Sequence, residues 1–154
     1  MKKLMTLMLA ALLSIAALAQ NADKLYREGK TLYDKEKYTE AIAKLRPAAE
    51  QGHKKAQYRM GRIYSKGYGV AKDHAKASEW YAKAAAQGHA KSQYRLAKNY
   101  YKAKGVKEDK AKAKELLLKA VSDRDHGSEI LSDLKKDAKS GDDDAKGMLK
   151  LIGK

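Results

Sequence analysis

Ala56-Gln57-Tyr58-Arg59-Met60-Gly61-Arg62-Ile63-Tyr64 comes back thirty-six residues later as Ser92-Gln93-Tyr94-Arg95-Leu96-Ala97-Lys98-Asn99-Tyr100. Around this echo, Gly52-His53 returns as Gly88-His89, Gly69-Val70 as Gly105-Val106, Asp73 as Asp109 and Ala77 as Ala113. A fixed period of this length marks stacked structural units, none of which can bury its apolar face alone. Stacks of this kind present extended surfaces suited to holding other molecules.

Within the clearest unit, Ala56, Met60, Ile63, Tyr64 and Gly67 fall at i, i+4, i+7, i+8 and i+11, one stripe of a helix. Gly67-Tyr68-Gly69-Val70 then breaks the pattern, because two glycines supply the backbone freedom of a tight turn. Asp73 is placed to cap a second helix. Its stripe is Ala77, Trp80, Tyr81, Ala84 and Ala85, and Gly88 stops it. The next unit repeats the plan with Ser92, Leu96, Asn99, Tyr100 and Ala103, the turn Gly105-Val106, then Ala113, Leu116, Leu117, Ala120 and Val121. Small residues on facing stripes let helices approach closely. Alternating apolar runs are absent, so the expected class is all-α.

These residues resemble a Sel-one-like repeat, a relative of the tetratricopeptide repeat. The resemblance implies a right-handed α/α superhelix of about three and a half helix pairs. It covers residues 52–87 and 88–123, with departures where Gly61, Gly67 and Trp80 become Ala97, Ala103 and Leu116. Residues 20–51 read as a shorter tetratricopeptide-like pair, with stripes Leu25, Gly29, Leu32, Tyr33 and Tyr38, Ala41, Ile42, Leu45. Pro47 should loosen or kink its second helix. Residues 124–154 read as degenerate capping helices: Ile130, Leu131, Leu134 and Ala138 form one, and Gly141, Ala145 and Leu149 echo Gly52, Ala56 and Met60.

Residues 1–19 read as a cleaved signal peptide. Lys2-Lys3 precede an apolar run from Leu4 to Ala16, and Ala17-Leu18-Ala19 forms a small-x-small cleavage site. The run is short and Ala-rich for a bilayer span of ~20 residues, and no Cys stands at the cleavage point for a lipid anchor. Export to the periplasm of a Gram-negative bacterium, or secretion, is the expectation. Removing the nineteen residues with their two lysines leaves 135 residues and a formal charge of +13. That charge favours anionic partners. Lysine far outnumbers arginine, which argues against nucleic acid.

No catalytic, cofactor or metal constellation stands out. His53 and His89 share one repeat position and read as solvated turns, too far apart to share a metal ion. Asp142-Asp143-Asp144 reads as helix capping, since the spacing of a calcium loop is missing. Some secreted members of the resembled family are linked to β-lactam binding or hydrolysis, but those members are cysteine-rich and this chain has no Cys.

The expected partner-binding residues lie opposite the core stripes on the first helices: Tyr58, Arg62 and Ser65, then Tyr94, Lys98 and Tyr101. The resemblance places such helices on the concave face. Tyrosine offers rigid contact area and arginine directional donors, a combination suited to an acidic or extended peptide. The functional expectation is an exported, non-enzymatic scaffold for protein–protein interaction. Alternatives are an electrostatic binder of an anionic envelope polymer and, with no supporting constellation, a cell-wall or β-lactam hydrolase. An unfinished C-terminal unit leaves head-to-tail self-association open.

Overall fold

The computed structural model describes residues 2–154 and is helical throughout, with no strand among them. Its elements are α1 (Lys2–Asp34), α2 (Tyr38–Glu50), α3 (Lys54–Lys66), α4 (His74–Ala86), α5 (Ala90–Tyr101), α6 (Lys110–Val121), α7 (Gly127–Lys139) and α8 (Asp143–Leu151). Consecutive helices pack as pairs, α1 on α2, α3 on α4 and α5 on α6, and each pair stacks on the next through α2–α3 and α4–α5. This is the α/α solenoid that the period requires.

The stripes carry the core. Ala56, Met60, Ile63, Ala77, Ala84, Ala97, Ala113, Leu117 and Ala120 lose all contact with solvent. One cluster joins α1 to α4 and takes in Leu96 of α5, and a second joins α5 to α8. α2 runs unbroken through Pro47 to Glu50. In α1 no described side chain before Ala22 is buried, and Leu4, Leu7, Leu12 and Leu18 are each more than half exposed. One helix, Lys3–Asp34, is long and apolar enough to cross a membrane.

Asp73 and Asp109 cap α4 and α6 as expected, accepting from the backbone amides of Lys76 and Lys112 at 2.9 and 2.8 Å. The histidines differ from their reading as solvated turns. Nδ1 of His53 accepts from the Ala56 amide and Nδ1 of His89 from the Ser92 amide, both at 3.2 Å, so each is the N-cap of a first helix. Their rings are sheltered by tyrosines of the preceding unit, Tyr26 at 4.4 Å and Tyr58 at 4.9 Å. Only a neutral ring can accept at Nδ1. Burial, then the charge of Lys54, pushes His89 down to about 4.

A histidine depressed in the folded state stabilises fully above its unfolded value of 6.5. Between 6.5 and about 4 the unfolded chain takes up a proton that the folded one refuses, so stability falls. The loss should be roughly 1–2 kcal/mol, after allowance for the ring's partial contact with solvent. Urea midpoints at pH 7 and 4.5 should show it, and His89→Asn, which keeps a capping oxygen, should flatten the difference. The carboxylate caps Asp73 and Asp142 are held below 3.8 by backbone hydrogen bonds, so their loss begins at lower pH.

The two long connectors share one geometry. After α3, Gly67 takes φ 75° and the Tyr68 amide donates back to the Ile63 carbonyl. After α5, Ala103 is forced into the same left-handed region, φ 53°, and the Lys104 amide donates to the Asn99 carbonyl. Ala103→Gly should therefore stabilise by about 0.5–1 kcal/mol, the left-handed cost of a Cβ less the added freedom of glycine in the unfolded chain. Chemical denaturation reads it.

The C-terminal pair keeps part of the echo. Gly141 is left-handed (φ 100°), and Asp142 accepts from the Ala145 amide as His53 does from Ala56. The buried residue one turn on is Met148, whereas Leu149, expected by analogy with Met60, is only half-buried. Lys91 pairs with Glu129 near the start of α7, and Lys102 pairs with Asp144 at the start of α8. α7 thus begins beside the start of α5, and α8 begins where α5 ends, closing the stack with a helix of nine residues.

Candidate partner-binding face

The repeated Gln-Tyr-Arg sits where one unit meets the unit before it. Gln57 and Gln93 are buried, and each donates its side-chain amide to a carbonyl eight residues back, Ala49 at 3.1 Å and Ala85 at 3.3 Å. Each carbonyl also accepts from the turn that ends its own helix, from the Gly52 and Gly88 amides, so the glutamine adds a bond that ties that helix end to the next unit. Arg59 reaches back to Asp34 at 3.2 Å and lies 4.6 Å from the Tyr33 ring centre. Arg95 likewise reaches back, sharing a hydrogen bond with the Tyr58 side chain.

The six expected binding residues fall into different surroundings. Tyr58 is half-buried, its ring 6.0 Å from Tyr81. Tyr94 is 9% exposed and belongs to the second core cluster, and burial pushes its phenol up to about 12. Lys98 lies half-buried with its ammonium 5.6 Å from the Tyr94 ring centre. Arg62 is half-buried over Tyr33, at 5.7 Å. Ser65 shares a hydrogen bond with Tyr81, whose phenol burial also pushes up to about 12. Tyr101 is half-buried beside Gly147 of α8, with the Lys110 ammonium 5.5 Å from its ring centre.

Two hollows gather four of the six. Tyr58 and Tyr94 line a small one of about 120 Å³ with Arg95, Glu129 and Asp133. Ser65 and Lys98 line a larger one of about 290 Å³. Arg62 and Tyr101 line neither. Arg95 belongs to both hollows and was absent from the expected set. Its signal was present in the sequence, since it returns in register with Arg59. No group of three or more metal-ligating side chains converges among the described residues.

Comparison with known proteins agrees with this architecture. The profile of the Sel1 repeat family matches residues 54–89 and 90–125. A Sel1 repeat protein from Oxalobacter formigenes is similar over 80% of this chain and 98% of its own, at 31% identity and a TM-score of 0.64. A protective antigen of uropathogenic Escherichia coli with an SLR fold matches over 90% of this chain and 32% of its own, at 26% identity and a TM-score of 0.66. Cysteine-rich protein B of Helicobacter pylori shares the fold at 21% identity and a TM-score of 0.57, over 71% of this chain and 87% of its own. No curated protein of assigned function matches the chain.

Proposed function

The chain belongs to the Sel1 repeat family, and from that premise we propose an exported scaffold that docks a protein partner on the layer formed by its first helices. Proteins of this family are repeat scaffolds for protein–protein interaction. The finer reading concerns the face, the partner and the compartment. One observation carries it: Tyr58, Arg62, Ser65, Lys98 and Tyr101 stay half-exposed along α3 and α5, and neither Arg62 nor Lys98 has a carboxylate partner among the described residues. Rigid aromatic area beside unspent cations suits an acidic, extended segment of a partner. The surrounding positive charge speeds encounter. Catalysis has no part in this reading.

Export rests on the charged, apolar and small-residue segments of residues 1–19 and on the absence of buried side chains there among those described. A photo-crosslinking residue at position 62 or 98 should trap one discrete partner in the native compartment. The same residue at Glu79, exposed on α4, should trap none. Arg62→Glu should abolish the adduct formed at position 98. Trapping from position 79 alone would reject the face, and a cytoplasmic chain retaining residues 1–19 would reject export.

A further inference from the structure

The larger hollow joins parts of the chain that are far apart in sequence. The end of α3 and the connector after it form one wall; the last turns of α5 and its connector form the other. Six cationic side chains line it: Lys66, Lys72, Arg95, Lys98, Lys102 and Lys104, and no carboxylate does. Of these, Lys102 is paired, with Asp144. The other five have no ion-pair partner among the described residues. Elsewhere on this surface some lysines are paired, as Lys30 is with Asp34 and Lys119 with Glu115, and others are not. What sets the hollow apart is that six cations converge on one concavity whose lining holds no carboxylate, whereas the hollow lined by Lys54, Lys55 and Lys91 also holds Asp123 and Asp125.

The walls are also fixed. Tyr81 forms part of the lining and is 2% exposed. Asn99 donates to Ser78 Oγ at 2.8 Å, and Ser78 donates to the His74 carbonyl at 2.9 Å, which ties α5 to the start of α4. Ser65 adds a neutral hydroxyl. Burial, then the neighbouring Arg95 charge, pulls the Lys98 pKa down, against an opposite pull from Asp137 and Asp142.

We infer that this hollow binds a compact phosphate-bearing polyanion through Arg95, Lys98 and the lysines of the two connectors. Five of the six cations are lysines, which bind phosphate oxygens as point charges, and Arg95 adds a guanidinium fork that matches phosphate geometry. A single carboxylate would neutralise one of them and leave the rest opposed. A pyrophosphate-like group carries enough charge for several. The inference goes beyond partner docking, since the site would be complete without a protein partner.

The test is calorimetric titration of the full chain with pyrophosphate, and with citrate as a carboxylate of comparable charge. Three proteins are compared: the unaltered chain, Arg95→Gln/Lys98→Gln, and Lys24→Gln/Lys35→Gln, which removes the same charge from exposed sites on the first pair. The expected result is saturable one-to-one binding of pyrophosphate. It should weaken about tenfold or more in the first variant, where charge-assisted bonds are removed, and hold within about twofold in the second, where screened surface charge contributes little. Circular dichroism confirms that both variants are folded. Absence of saturable binding, equal weakening in both variants, or equal affinity for citrate would each overturn the inference. None of these results bears on partner trapping from position 62, so the two readings fail separately.

Discussion

Gly105→Ala should cost about 3 kcal/mol, from left-handed backbone strain of ~1–2 kcal/mol and a comparable overpacking term. Gly105 has φ 68°, and a Cβ there would lie 2.1 and 2.2 Å from the carbonyl carbon and oxygen of His74. The obstacle is backbone at the first turn of α4, which cannot rotate away as a side chain can. Gly69 makes the equivalent approach one unit earlier, where a Cβ would lie 3.1 Å from that of Tyr38 at the start of α2. The recurring Gly-Val turn is therefore a seam, seating each connector on the preceding unit's second helix. Gly88→Ala separates the two terms: φ is 75°, yet nothing lies within 4 Å of its added Cβ. That change should cost about 1 kcal/mol, the strain alone. Urea unfolding of both variants reads the difference, and equal losses would mean that the turn needs glycine only for its dihedral angles.

The helical stripes were legible because burial in each unit is periodic, and Asp73 and Asp109 were legible because aspartate is a common cap. His53 and His89 were not, since histidine is an uncommon cap and the rings are held by Tyr26 and Tyr58 of another unit. The tyrosines mark a second boundary. A single apolar stripe suits a helix that packs on one side, whereas a helix inside a solenoid meets its own partner and its neighbours. Tyr94 lies outside the stripe and is nevertheless in the core. Gln57 and Gln93 stood out as an echo, but their purpose needs the preceding helix end in place. The cationic hollow was out of reach for the same reason, as its two connectors lie about one repeat apart and meet only in three dimensions. Met148 shows the limit of the echo itself: α8 begins like a first helix but packs as a lid, so its deepest residue falls one position early.

Leu134→Ala should remove about 3 kcal/mol locally, within the range of ~2–5 kcal/mol for a fully buried leucine truncated in a core. Leu134 is completely buried on α7, in the cluster that also holds Leu117, Ile130, Ala145 and Met148. Stability in a stacked repeat is a sum of unit and nearest-neighbour terms, so damage at one end need not travel to the other. α7 and α8 lie at the end of the stack, and α8 has only nine residues. The energetic loss should therefore appear as local opening. Amide exchange in α7 and α8 should accelerate by about a hundredfold, as ~3 kcal/mol of local stability implies. Amides around Met60 and Ile63 of α3, in the other cluster, should keep their protection. Uniform acceleration along the whole chain would mean that the two core clusters unfold as one, and that the closing pair is as integral to the fold as the repeats it covers.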